Sequence, residues 1–87
     1  MMRLDLAKFE NRLAHLRHWR GFSIEDAAKF IGVTTGTWKR WESEGKDALP
    51  DDSGLANAVI SGIASKFEIS VEWLRDGIGE APIFVGH

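Results

Sequence analysis

The chain has 87 residues, 44% of them hydrophobic, and this length allows one small domain with a limited core. It contains no cysteine, which excludes disulfide bridges and thiolate chemistry. The formal net charge is −2, but residues 1–42 carry eight cations and five anions, whereas residues 43–87 carry three cations and eight anions. The cationic first half can direct one face toward phosphate groups, although two ordinary solvated surfaces would explain the same distribution.

The chain begins with MMRLDLAKFENR, which is charged throughout and lacks the apolar core of a signal peptide. No stretch of the sequence approaches the roughly 20 apolar residues of a membrane span. We therefore expect a cytoplasmic protein.

Two amphipathic helices are predicted in the first third of the chain. The first carries a stripe of residues at three- and four-residue steps and ends at Gly21; the stripe consists of Leu6, Phe9, Leu13, Leu16 and Arg20. Ser23 is a suitable N-cap for the second helix, whose first turn contains two acidic residues that favour the helix dipole. This second helix is expected to stop at Gly32.

Three further helices follow. Thr34 caps a third helix that continues to Trp41 or slightly beyond, and residues 44–54 are rich in Gly, Pro and acidic residues, which predicts a loop. A fourth helix is predicted with its apolar stripe formed by Leu55, Val59, Ile63 and Phe67 and weakened by Gly62. Ser70 caps a short fifth helix, VEWLRD, which Gly77 terminates.

The third helix has two different faces. Trp38 and Trp41 are three residues apart and share one face, which predicts two core residues. Small and cationic residues occupy the opposite face: Thr35, Gly36, Lys39 and Arg40. Two short helices joined at Gly32, the second with a polar start and a cationic middle, have the pattern of a helix-turn-helix.

The segment GFSIEDAAKFIGVTTGTWKRWE resembles the helix-turn-helix of Cro/cI-type phage repressors, the lambda-repressor-like (XRE) family. FEISVEWLRDGIG is similar to the ending of these domains, and with Arg17 the resemblance covers about residues 9–79. It implies an all-α, compact five-helix fold with the helix-turn-helix at helices two and three. The DNA-binding domain is expected at residues 1–79, followed by a C-terminal tail at residues 80–87.

The resemblance also implies roles for individual residues. The candidate base-reading residues are Thr35, Gly36, Lys39 and Arg40, of which Lys39 also suits phosphate. The candidate phosphate contacts are Ser23, Ile24, Thr34, Thr37, Ser43 and Lys46. A structural ion pair is expected between Arg17 and Glu42. Val71, Trp73 and Leu74 are expected in or beside a dimer interface, although Trp73 also suits a core.

The sequence departs from the family pattern at several positions. Ile24 replaces a usual phosphate-binding glutamine, so its expected contact comes from the backbone N–H. The predicted loop carries Asp47, Asp51 and Asp52 where relatives often have basic residues, and Gly36 brings no side chain to a base. Trp38 replaces a smaller residue while Ala27 replaces a larger one, an exchange that can conserve core volume.

Together these features predict a sequence-specific regulator that binds double-stranded DNA, as a phage or prophage repressor in the cytoplasm of a bacterial cell. It is expected to occupy an imperfect palindromic operator as a homodimer. Two alternatives stay open: the antitoxin of a toxin–antitoxin pair, or a protein-interaction module that has lost DNA binding. Strongly salt-dependent DNA affinity would distinguish a regulator from such a module.

No cofactor, metal or enzymatic activity is expected. His15 and His18 share a helix face, but no clear third metal ligand accompanies them. The sequence also shows no combination of nucleophile, base and oxyanion donor.

Overall fold

The computed structural model describes residues 5–82, and the regular structure in this range is helical. The helices are α1 (Phe9–Trp19), α2 (Ile24–Ile31), α3 (Thr35–Glu44), α4 (Ser53–Phe67) and α5 (Val71–Asp76), with a 3₁₀ segment at Gly45–Ala48 between α3 and α4. The prediction of an all-α fold with five helices is confirmed.

Side-chain caps set the starts of four helices. In each case a hydroxyl or carboxylate accepts a hydrogen bond from the backbone N–H three residues later; the capping residues are Ser23, Thr34, Asp52 and Ser70. Gly32 ends α2 in the left-handed conformation, with φ at 94°, which an L side chain would adopt only with strain. The predicted boundary between the second and third helices is therefore confirmed.

The core is a cluster of rings and aliphatic side chains enclosed by all five helices. Trp38 is fully buried and Trp41 is 6% exposed, which confirms both as core residues. Their ring centroids lie 5.7 Å apart in an edge arrangement, and the Trp38 ring also lies 6.3 Å from that of Phe67 in α4. The ring centroids of Phe67 and Phe30 lie 5.1 Å apart, so the aromatic cluster joins α2, α3 and α4.

Two predictions about the second half of the chain were wrong in detail. The buried stripe of α4 is Ile60, Ile63, Ala64 and Phe67. Leu55, expected on that stripe, is 60% exposed because it lies on a different side of the helix. The expected loop after α3 contains the 3₁₀ segment, and it brings Leu49 into the core at 6% exposure.

The chain after α5 returns to α1. Ala81 packs against the core, and the Pro82 carbonyl oxygen lies 2.6 Å from Nε2 of His15. Residues 1–4 and 83–87 lie outside the described residues, so the expected boundary between a domain at 1–79 and a tail at 80–87 stays a prediction.

Arg12 connects α1 to the end of α5. Its side chain is 3% exposed, and its guanidinium donates to the carbonyls of Leu74 at 2.8 Å, Leu6 at 2.9 Å and Arg75 at 3.0 Å. Burial lowers the pKa of Arg12 from its ordinary value, and the nearby carboxylates of Asp76 and Glu10 act in the opposite direction. Arg12 is therefore a structural cation that fixes the end of α5 by hydrogen bonds.

Replacing Arg12 by methionine should destabilise the fold. Arg12→Met leaves the Leu74 carbonyl buried without its donor, and we expect the free energy of unfolding to fall by about 1–3 kcal/mol. Arg12→Lys is the matched control for charge; because an ammonium cannot reproduce the fork of three hydrogen bonds, it should recover only part of the loss. Chemical denaturation of both variants measures this. A wild-type midpoint for Arg12→Met would contradict the structural role.

Candidate nucleic-acid interface

The two buried tryptophans of α3 determine which side of this helix faces solvent. With Trp38 and Trp41 fixed in the core, Thr35, Gly36, Lys39 and Arg40 are all exposed on the remaining surface. A shallow, open groove runs along this side; its lining residues are Thr34, Gly36, Thr37, Lys39, Arg40, Ser43 and Glu44. The structure thus brings three of the four predicted base-reading residues together with Thr34, Thr37 and Ser43 in one groove, beside the exposed Thr35.

The first turn of α3 gives the groove a small, polar beginning. Thr34 accepts from the Thr37 N–H at 3.1 Å, and the two hydroxyl oxygens are 2.9 Å apart. A Cβ at Gly36 would meet only the Thr34 hydroxyl, at 4.0 Å, so internal packing does not require a glycine there. The absence of a side chain instead leaves the backbone of this turn open to close approach from outside.

Arg40 forms an ion pair with Glu44 in the protein without DNA. Its Nε donates to Oε2 of Glu44 at 3.1 Å, one turn along the exposed surface of α3. This hydrogen bond raises the pKa of Arg40 and lowers the pKa of Glu44, with the charge interaction acting in the same direction. Exposed pairs of this kind contribute little stability, so a stronger acceptor can displace the carboxylate. Sequence reasoning missed this partner, although the spacing of four residues indicates it.

The other predicted phosphate contacts lie in different places. Ser23 begins α2, where its N–H donates to the Asp26 carboxylate at 3.2 Å. This hydrogen bond lowers the pKa of Asp26, and the carboxylate makes the start of α2 less favourable for a second anion. Ile24 is half-buried against the core. Lys46, beyond the end of α3, lines a separate hollow with Lys8 and residues of α1.

Several cations of the first half are engaged in contacts within the chain, although Arg20 itself is exposed at the surface. Arg12 and Arg17 bind carbonyls and a carboxylate, and the Arg20 guanidinium lies 5.3–5.8 Å from the ring centroids of Trp19, Phe30 and Phe67. The positive charge that this half presents to a partner is therefore smaller than the sequence indicates. Lys39 and Arg40 are the cations in the α3 groove.

The ion pair between Arg17 and Glu42 joins α1 to α3. Arg17 Nε donates to Glu42 Oε2 at 2.7 Å and Nη2 donates to Oε1 at 3.2 Å, while Nη1 donates to the Phe22 carbonyl at 3.1 Å. The indole N–H of Trp38 donates to the same Glu42 oxygen. The side chains of the ionic partners are only 14% and 11% exposed, so this is a largely buried, multiply hydrogen-bonded pair.

The residues expected at a dimer interface are placed differently. Trp73 is 2% exposed and Leu74 is fully buried within the chain itself, so these two side chains belong to the core and leave no area for a partner. Val71 is half-buried. Near α5, the large apolar side chain at the surface is Ile78, which is 62% exposed.

Within residues 5–82, the Glu, Asp and His side chains are scattered over several elements of the fold. In that range no three histidine, cysteine or acidic side chains are grouped closely enough to hold a metal ion. His15 contacts the Trp73 ring at 6.0 Å between centroids, in addition to the Pro82 carbonyl. Among the same residues, no helix has both the length and the apolar character needed to cross a membrane.

Comparisons with known proteins agree with this geometry. The model of a helix-turn-helix domain family matches residues 11–59. The crystal structure of an HTH_3-family transcriptional regulator from Vibrio cholerae superposes with a TM-score of 0.62 at 25% identity, over 84% of this chain. The match spans 37% of that regulator, so this chain corresponds to little more than a third of its length. A search of curated proteins gave no significant match.

Removing one partner of the Arg17–Glu42 pair should be strongly destabilising. Glu42→Gln or Arg17→Met leaves a largely buried charge without its counterion, and we expect each to cost about 3–5 kcal/mol. The double variant should lose less than the two single losses added together, because neither charge is then stranded. Thermal and chemical unfolding of all three variants measures the coupling. Small, additive losses would show that the two charges do not stabilise each other.

Proposed function

The chain belongs to the helix-turn-helix domain family, and on that basis we propose that it is a transcriptional regulator that binds double-stranded DNA in a sequence-specific manner. One observation carries the proposal: two buried tryptophans hold α3 so that its polar and cationic side lines an open surface groove. A helix presented in this way is suited to the major groove of B-DNA, which admits an α-helix and displays base-specific donors and acceptors.

Individual side chains suit different parts of the DNA. Thr35 lies in the first turn of α3, where its methyl can contact a thymine methyl and its hydroxyl can bond a neighbouring group. Arg40, one turn further along, has the fork geometry for O6 and N7 of guanine. Since Glu44 binds the same guanidinium in the free protein, base contact exchanges one acceptor for another. Lys39 is a point charge suited to phosphate.

We further propose that the protein acts as a homodimer on an imperfect palindromic operator. A two-fold dimer places its two reading helices about 34 Å apart, one turn of DNA, so each half-site receives one copy of α3. The resemblance to Cro/cI-type repressors supports a phage or prophage repressor that occupies an operator and blocks polymerase, within the bacterial cytoplasm. No catalytic step is part of this function.

Binding should depend steeply on salt and on sequence. An electrophoretic mobility shift with DNA flanking the gene, against scrambled DNA at the same salt concentration, should show preference for the flanking DNA. Each phosphate contact should contribute about −0.9 to the slope of log affinity against log salt, because condensed counterions are released. Weak, salt-independent retention of both DNAs would contradict a DNA-binding regulator and favour a protein-interaction module.

Single substitutions in the groove should separate base reading from phosphate binding. Arg40→Ala should cost about 1–3 kcal/mol of binding free energy and relax preference at one base pair per half-site. Lys39→Ala should weaken binding to all sequences alike and reduce the salt slope by about one unit. Titrations by fluorescence anisotropy on operator and scrambled DNA measure both effects.

Glu44→Gln is the matched control for Arg40. It removes the carboxylate charge that competes with DNA for the Arg40 guanidinium, and it keeps the size of the side chain. It also removes the repulsion between this carboxylate and nearby phosphates, so binding to both DNAs should strengthen. If Arg40→Ala instead bound operator and scrambled DNA in the wild-type ratio, Arg40 would not be a base reader.

A further inference from the structure

The outer face of α4 carries an apolar surface that the described part of the chain, residues 5–82, leaves open. An open hollow beside α4 is lined almost entirely by apolar groups, with one lysine at its end; the lining residues are Ile31, Val33, Trp41, Ala58, Val59, Gly62, Ile63 and Lys66. On the same side of α4, one turn before Ala58 and Val59, Leu55 is 60% exposed. We call the surface formed by Leu55, Ala58, Val59, Gly62 and Lys66 the α4 face.

Gly62 lies in the middle of α4, and no contact with residues 5–82 requires a glycine there. A Cβ at this position would meet no atom within 4 Å, and the residue does not have a positive φ. Glycine weakens a helix interior relative to alanine, so its presence has a cost that internal packing does not explain. The missing side chain leaves a shallow depression on the α4 face into which a side chain from outside can fit.

We propose that a second copy of this chain docks on the α4 face, with the two α4 helices antiparallel across a two-fold axis. When the axis passes between Ala58 and Val59, the symmetry places Leu55 of each copy opposite Gly62 of the other. The exposed leucine of each copy then fills the depression at the glycine of the other copy. The hollow beside α4 is covered in both copies. An isologous contact requires such a self-complementary surface.

Charge favours the same arrangement. Asp51 is exposed just before the N-cap of α4, and Lys66 is exposed in its last turn. The axis that pairs Leu55 with Gly62 also places Asp51 of one copy opposite Lys66 of the other, at both ends of the interface. A parallel arrangement would instead bring Lys66 against Lys66. Opposite charges at an interface rim fix its register and suppress the alternative.

The inference specifies the homodimer of the proposed function and rests on that part of it alone; DNA binding is not needed for it. It moves the dimer contact away from Trp73 and Leu74, which are buried within the chain. A contact limited to one helix from each copy lies at the low end of specific interface sizes, so we expect a dimer that dissociates in the micromolar range.

Sedimentation of the full chain without DNA, over a micromolar concentration series, tests the proposal. The wild type should show a reversible monomer–dimer equilibrium. Leu55→Ser and Gly62→Gln should each raise the dissociation constant about tenfold or more. Ile78→Ser, which changes an equally exposed apolar residue near α5, is the matched control and should leave the dissociation constant unchanged.

Two measurements separate loss of the interface from loss of the fold. Gly62→Gln should melt no lower than the wild-type monomer at low concentration, because the new side chain enters open space and is a better helix former. Lys66→Glu and Asp51→Lys should each weaken the dimer, and the double variant should recover most of the affinity because the charges are exchanged.

Three results would overturn the inference: a wild type that stays monomeric over the whole series, a dimer unaffected by Gly62→Gln, or a dimer lost in Ile78→Ser. DNA affinity is measured separately on the same wild-type sample. A dimer that loses strength in Leu55→Ser but does not bind DNA would support the α4 contact and contradict the regulatory function. A monomer that binds operator DNA would contradict the α4 contact and the proposed homodimer, and would leave the DNA-binding function standing.

Discussion

Glu42 receives hydrogen bonds from two parts of the fold, and the orientation of α3 depends on them. Arg17 reaches it from α1, and the indole N–H of Trp38 reaches it from within α3. Trp38 is also fully buried against Phe67, so the polar and apolar constraints act on the same side chain. A helix held on one side by a ring and a largely buried ion pair has a fixed opposite side. The groove with Lys39 and Arg40 is that opposite side, which is why the surface chemistry follows from the core.

The same core limits the positive charge that the surface of this chain, with its net charge of −2, can present. Three arginines of the first half are used for internal contacts: Arg12 binds carbonyls, Arg17 binds Glu42, and Arg20 lies over aromatic rings. Much of the acidic excess lies in the second half of the chain, after α3. The residual positive charge at the groove is small but local. Phosphate contacts respond to local charge more than to the total, since screening in salt limits the range to about 10 Å.

Local chemistry made the helices predictable from the sequence. Ser23, Thr34 and Ser70 each offer an acceptor to the N–H three residues on, and this depends on neighbours within one turn. The pairing of Arg17 with Glu42 came from a family resemblance, because no local rule connects residues 25 positions apart. The carbonyl ligands of Arg12 and the exposure of Leu55 depend on how α1, α4 and α5 pack, which composition and periodicity do not specify. Long-range packing is therefore where sequence reasoning failed.

The two surfaces proposed for function differ in how the fold supports them. The α3 groove lies directly over two buried tryptophans, which fix the helix that forms it. The α4 face lies beside the buried stripe of the same helix, yet most of its own side chains are exposed. Whether a second copy covers this face therefore depends on the protein concentration. If self-association is weak, occupancy of two adjacent half-sites raises the effective concentration of one copy near the other. DNA would then stabilise the dimer that binds it, and the same linkage requires dimerisation to strengthen DNA binding.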